Sequence, residues 1–134
     1  MFSMEFLDQA PRLLNLMQQK KYQTAYYKKL CKIAPDQKTL LILQNILKEE
    51  EKHYDKINAM YKKITGCMPI EETIVDVNII SFSEGLKQAI TEEISMMDLY
   101  KDLYISLKKN DLREIIFEII MDELKHNLWL CQIN

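Results

Sequence analysis

Glycine and proline are scarce: the 134 residues hold 2 Gly and 3 Pro. Sandwiches and Rossmann-type sheets need many turns, so the shortage points away from both and toward long helices. Cysteine is sparse as well. Cys31, Cys67 and Cys131 are odd in number, widely spaced and without a C-x-x-C pair. That excludes a disulfide framework and a rubredoxin-like or zinc-knuckle module. No sign of charge dominates, since 18 basic and 20 acidic residues leave a formal net charge of −2. There is no electrostatic reason to expect a nucleic-acid partner. No apolar run approaches the roughly 18–20 residues of a membrane span, so no membrane partner is expected. Met1 to Asp8 lack the basic start and apolar stretch of a signal peptide, and a cytoplasmic location is the expectation.

What is present is 48% hydrophobic and 28% charged residues, the balance of one folded domain spanning residues 1–134. Four helical segments are expected. Helix A covers about Ala10 to Ile33, with Pro11 in its first turn. Ala34-Pro35-Asp36 stops it, and Asp36 can cap helix B, about Gln37 to Thr65, which Gly66 ends. Helix C begins near Ser83, where Ser81 and Glu84 have capping-box spacing, and ends near Lys108 and Lys109. Helix D follows Asn110 and Asp111 and runs to about Cys131.

Apolar residues recur at spacings of 3 and 4, one stripe per helix. The inner stripe of helix A is expected at Leu13, Met17, Thr24, Tyr27 and Cys31. Helix B presents Leu43, Ile46, Leu47, Tyr54, Ile57, Met60 and Ile64. Helix C presents Leu86, Ile90, Met97, Tyr100, Tyr104 and Leu107. Helix D presents Leu112, Ile115, Ile116, Ile119, Ile120 and Leu130. The fold class expected is therefore an all-α four-helix bundle.

Short A–B and C–D connections make two antiparallel hairpins, about 10–65 and 83–132. Between them lies a segment of about 16 residues, 66–82, rich in β-branched residues from Ile74 to Ile80. Extended, it spans about 50 Å, enough to run the length of helix B at about 40 Å. It can start helix C beside helix B and parallel to it, as one long crossover. The hairpins also repeat. A shift of 73 places Tyr27 on Tyr100, Lys28 on Lys101, Leu30 on Leu103 and Ile46 on Ile119. It also places Glu50 on Glu123, Lys52 on Lys125 and His53 on His126.

Both histidines of the chain stand in Glu-x-x-His: Glu50 with His53, and Glu123 with His126. Side chains at i and i+3 project from one helical face. Here that face is the apolar one, because Ile46 and Leu47 precede the first pair and Ile119 and Ile120 the second. A third carboxylate, Glu93, falls between Ile90 and Met97 on helix C, while Glu92 points elsewhere. Three carboxylates buried without compensation would cost several kcal/mol each. Two remedies are open: a metal ion, or a polar layer of Glu, His, Lys and Tyr that satisfies itself. Carboxylate and imidazole donors suit iron or manganese, with zinc possible.

Over about Ala10 to Leu130 the pattern resembles the ferritin-like carboxylate-bridged di-iron family, and within it rubrerythrin and bacterioferritin. The resemblance implies a ferritin-like bundle with one crossover. It makes Glu50 and Glu123 bridging ligands and Glu93, His53 and His126 terminal ones. Tyr27 and Tyr100 would hydrogen-bond the carboxylates in support. It implies one or two iron ions and ferrous oxidation or reduction of oxygen or peroxide. Homodimers are common in that family, but no interface can be located from the sequence.

Three departures qualify this. The family has Glu on helix A seven residues before Tyr; here Lys20 stands there, and no acidic residue occurs between Asp8 and Asp36. Lys20 can point outward or inward. If inward, three glutamates, one ammonium and one divalent ion sum to zero, so Lys20 would stand in for one metal. The surviving position would use Glu93 and His126 with Glu50 and Glu123. Second, the extra helix C glutamate of rubrerythrin is Met96 here, a core-filling residue. Third, no paired-cysteine iron module follows through Asn134, so redox turnover would need an external electron donor. The alternative function is a non-catalytic or vestigial bundle acting in metal binding or protein interaction.

Overall fold

A computed structural model describes residues 4–69 and 76–133, with side chains from residue 8 onward. It contains four helices and, among the described residues, no strands: α1 Met4–Lys32, α2 Gln37–Thr65, α3 Phe82–Ser106 and α4 Asn110–Cys131. The caps follow from the sequence. Asp36 accepts a hydrogen bond from the Thr39 N–H, and Ser81 accepts one from the Glu84 N–H. Gly66 ends α2 at φ +70°, a left-handed conformation that glycine adopts without strain.

Two ends differ from expectation. Helix α1 starts at Met4 rather than near Ala10, so Pro11 lies within it and removes one backbone hydrogen bond. Helix α3 stops at Ser106, and Lys109 becomes the residue that precedes α4 instead of the tail of α3.

The inner face of α1 keeps Leu13, Met17 and Tyr27 as expected but is wider than the expected stripe. Its buried residues are Gln9, Leu13, Leu16, Met17, Lys20, Gln23, Tyr26, Tyr27 and Leu30, while Thr24 and Cys31 are half-buried. Polar Lys20 and Gln23 interrupt the apolar rhythm, which hides the true stripe. The other three helices keep the expected face. Leu47, Tyr54, Ile64, Ile90, Met97, Tyr104, Ile115 and Ile120 sit half-buried at its edges.

Packing follows from these faces. One apolar cluster joins Leu13, Leu16, Ile57, Met96, Leu103 and Ile116. A second joins Tyr26, Leu30, Leu43, Ile46, Leu86 and Leu130. Each fully buried Leu or Ile contributes about 1.5–3 kcal/mol. Along every helix the residues between the two clusters are polar and buried: Lys20 and Gln23, Glu50 and His53, Glu93, then Glu123 and His126. The bundle is thus two apolar blocks with a polar layer between them.

Helix α1 packs on α2 and α3, and α4 packs on α3 and α2. Helix α3 therefore lies beside α1, diagonal to α2, not beside α2 as expected. All four adjacent pairs are antiparallel, as shown by Arg12 with Asp102 and Tyr26 with Gly85 across α1–α3. Across α2–α4 the pairs are Lys56 with Glu118 and Lys63 with Asp111. Gly85 permits the close α1–α3 approach. A Cβ there would meet Ile79 Cγ2 and Leu30 Cδ2 at 2.8 Å each. Residues 70–75, the middle of the expected crossover, lie outside the described residues. At its far end Val77 is buried, and its carbonyl accepts a hydrogen bond from Lys29 Nζ.

Candidate metal centre

The polar layer brings together every site residue read from the sequence. Lys20, Glu50, His53, Glu93, Glu123 and His126 are each at most 1% exposed. Their positions come from one rule: each sits where a helix of 3.6 residues per turn returns to its inner face, in register with the apolar blocks above and below.

Lys20 points inward. From α1 its Nζ donates to Glu50 Oε2 on α2 and to Glu123 Oε1 on the diagonal helix α4, the latter at 2.6 Å. Its third neighbour is the Tyr100 ring, 5.1 Å away at the centroid. Burial pushes the ammonium toward losing its proton, but Glu123 and Glu50 outweigh it and raise Lys20 well above the ordinary lysine value. Burial likewise pushes the Glu123 carboxyl up, and Lys20 beside it prevails, holding it well below the ordinary range. These are charge-assisted hydrogen bonds in a low-dielectric interior.

The other oxygens of the same two carboxylates are left over. Glu50 Oε1, Glu123 Oε2, Glu93 Oε2 and His126 Nδ1 are all buried and none has a directed hydrogen bond. His126 Nδ1 lies 2.9 Å from Glu50 Oε1 and 3.7 Å from Glu123 Oε2. Ligand atoms from these four residues fall within 4.8 Å of one another. Three carboxylate oxygens and one imidazole nitrogen are a donor set that a divalent transition ion accepts. This buried Glu/His group could hold a metal.

Two members are shifted toward their protonated forms. Burial lowers His126, but the Glu123 and Glu50 carboxylates outweigh it and raise its pKa to about 9. Burial, then the Glu123 charge, raises Glu93 well above the ordinary carboxylate range.

His53 stands on the lysine side. Its Nδ1 is 3.1 Å from Glu123 Oε1, the oxygen already bonded to Lys20, and 3.8 Å from Glu50 Oε1. It is not among the four clustered ligand residues. The two imidazoles stack with centroids 5.9 Å apart.

The tyrosines part company. Tyr27 OH donates to Glu93 Oε1 at 2.7 Å, as expected. Tyr100 OH donates to no carboxylate, contrary to expectation. The repeat explains the loss. Tyr27 donates to the residue that the 73-residue shift pairs with Lys20, so Tyr100 would look to position 20 for its acceptor. A lysine ammonium has no lone pair to offer.

Two carboxylates escaped the sequence reading. Glu49 Oε1 lies 3.3 Å from His126 Nε2, and Asp122 Oδ2 lies 2.9 Å from His53 Nε2. Each hydrogen-bonds the histidine of the opposite helix and reaches toward solvent. The signal was available: the 73-residue shift pairs Glu49 with Asp122, so both motifs read acid-Glu-x-x-His. Glu92 does point elsewhere, accepting from Gln88 at 2.8 Å. Met96 is buried in the apolar block, as expected. No helix among the described residues is long and apolar enough to cross a membrane. No protein-family model, curated protein or solved structure matches the chain.

Proposed function

We propose that the chain is a ferritin-like metal-binding bundle whose core takes one divalent ion per chain, iron foremost, with manganese or zinc as substitutes. One observation carries this. Glu50 and Glu123 each give one oxygen to Lys20, and their other oxygens, without a directed hydrogen bond, cluster with Glu93 and with His126 Nδ1, which lies 2.9 Å from Glu50 Oε1. Lys20 then occupies the place of a second ion. Once Glu93 and His126 give up their protons to the bound ion, three carboxylates, one ammonium and one divalent ion sum to zero, the balance a low-dielectric core favours. The antiparallel hairpins and the internal repeat support a ferritin-like connection through 66–82.

Glu50, Glu93, Glu123 and His126 would hold the ion. Bound iron would supply one-electron chemistry toward ferrous oxidation or the reduction of oxygen or peroxide. The chain's own residues prepare the position. Glu49 accepts at His126 Nε2, so that Nδ1, on giving up its proton, would present its lone pair to the ion. Tyr27 holds one oxygen of Glu93 and leaves the other available. Lys20 fixes both bridging carboxylates at once. The apolar blocks on either side exclude water and so strengthen each of these contacts. Electrons would come from an external donor.

The test is metal content after anaerobic loading with ferrous iron and desalting. The wild-type chain should retain one iron and Lys20→Glu two, with iron-dependent oxygen consumption lost in His126→Ala. The Lys20 ion pairs favour one alternative, a non-catalytic bundle whose polar layer satisfies itself. A wild-type chain that retains no iron, manganese or zinc would establish that alternative and overturn the metal reading.

A further inference from the structure

The two hairpins share a fold but not a surface. On α4, Phe117, Met121, Leu124 and Leu128 follow one another at spacings of 4, 3 and 4, and on α3 Ile94 and Ile105 accompany them. All six are between 42 and 68% exposed. The repeat supplies an internal control. Shifted back by 73, the α4 positions are Gln44, Lys48, Glu51 and Asp55, and the α3 positions are Lys21 and Lys32. The same places in the same architecture are polar in the first hairpin and apolar in the second. Helix geometry therefore does not require apolar residues there.

The face is large enough to matter. The six side chains together expose roughly 600 Å², the upper end for a monomer's largest apolar patch. A stable dimer covers about 800 Å² per partner, including its polar rim.

The face is also self-complementary. The α3 stripe reads Ile94, Asp98, Lys101, Ile105, with its centre between the exposed acid and the exposed base. The α4 stripe centres between Met121 and Leu124. Asn127 contacts Met97, and Phe117 lies against Tyr104, so this antiparallel register sets the two centres at one level of the bundle. A two-fold axis through that level lays Asp98 on the partner's Lys101, Ile94 on the partner's Ile105, and Phe117 toward the partner's Leu128.

We propose that the outer face of α3 and α4 is an isologous interface joining two copies of this chain. The interface is separate from the core and forms whatever the core binds.

Sedimentation of the full chain across low to several-hundred micromolar concentrations tests it. A concentration-dependent dimer is expected. Leu128→Lys, at a position 68% exposed in the single chain, should weaken association about tenfold or more. Asp98→Lys and Lys101→Asp should each weaken it by placing like charges across the axis. The double exchange should restore it. A monomer at every concentration would overturn the proposal and leave the face to a different protein. A dimer indifferent to Leu128→Lys, or a double exchange no better than the single ones, would also overturn it.

Discussion

Tyr27 and Tyr100 occupy equivalent positions in the two hairpins, yet only Tyr27 has a carboxylate to donate to. The difference traces to a single residue, Lys20, which stands where the repeat has Glu93. Lys20→Glu should therefore do more than add a ligand. It should give the Tyr100 hydroxyl an acceptor, and it should leave four buried carboxyl groups without the lysine ammonium. The metal-free variant is expected to melt well below wild type, and manganese or ferrous iron should raise its melting temperature far more than that of wild type. Calorimetry with and without metal reads this directly.

Removing the ammonium without adding a carboxylate separates charge from ligation. In Lys20→Met the apolar stem remains while Glu50 and Glu123 lose their shared donor. Breaking a buried ion pair in this way costs about 3–5 kcal/mol. Chemical denaturation of the metal-free variant should show a loss of that order.

The outer carboxylates should tune affinity without supporting the fold. Glu49→Ala removes the acceptor from His126 Nε2 and frees the imidazole to rotate. Loss of such a partner weakens metal binding about 10–100-fold. Glu49 is partly exposed, so the metal-free melting curve should scarcely move. Competition with a chelating dye measures the change. Asp122→Ala, which acts on His53, should have the smaller effect if the ion sits on the His126 side.

The Asp36 cap predicts a pH dependence outside the core. The hydrogen bond from the Thr39 N–H holds its carboxyl below the ordinary value of 3.8. A depressed folded-state pKa contributes stability above the unfolded-state pKa, and that contribution disappears as pH falls through the folded value. Asp36→Ala should therefore lower the melting temperature at neutral pH, with the gap to wild type closing in acid. Asp36→Asn should retain most of the cap at both pH values.

Gly85→Ala tests the close approach of α1 and α3. The new methyl would overlap Ile79 and Leu30, and overpacking of this kind costs about 1–3 kcal/mol. The loss should appear in denaturation midpoints while metal content stays unchanged.

Much of this was legible in the sequence. Helix α2 could be read to the residue because Asp36 and Gly66 mark both ends with side-chain and backbone chemistry. Glu-x-x-His, doubled in phase, located the polar layer because i, i+3 spacing fixes a common face. The inner face of α1 was legible from apolar periodicity only in part, at Leu13, Met17 and Tyr27, since Lys20 and Gln23 occupy inner positions where apolar residues are expected. The repeat contained the answer, because Lys20 aligns with Glu93. The direction of Lys20 depended on long-range geometry. A lysine stem can lead to water or to a carboxylate, and only the diagonal approach of Glu123 decides between them. Loop length allowed a crossover but did not say which helix α3 would adjoin.

Lys20 is a cation that cannot leave. A dissolved ion is present in the core only as far as its supply and its competitors permit. The ammonium arrives with every synthesised chain, at a local concentration set by its tether to α1 and not by the medium. Chelators cannot withdraw it and starvation cannot deplete it. Its two ion pairs bind α1, α2 and α4 together from the moment the bundle closes. The oxygens of Glu50, Glu93 and Glu123 that Lys20 and Tyr27 leave over, with His126 Nδ1, are left to respond to what the surroundings offer.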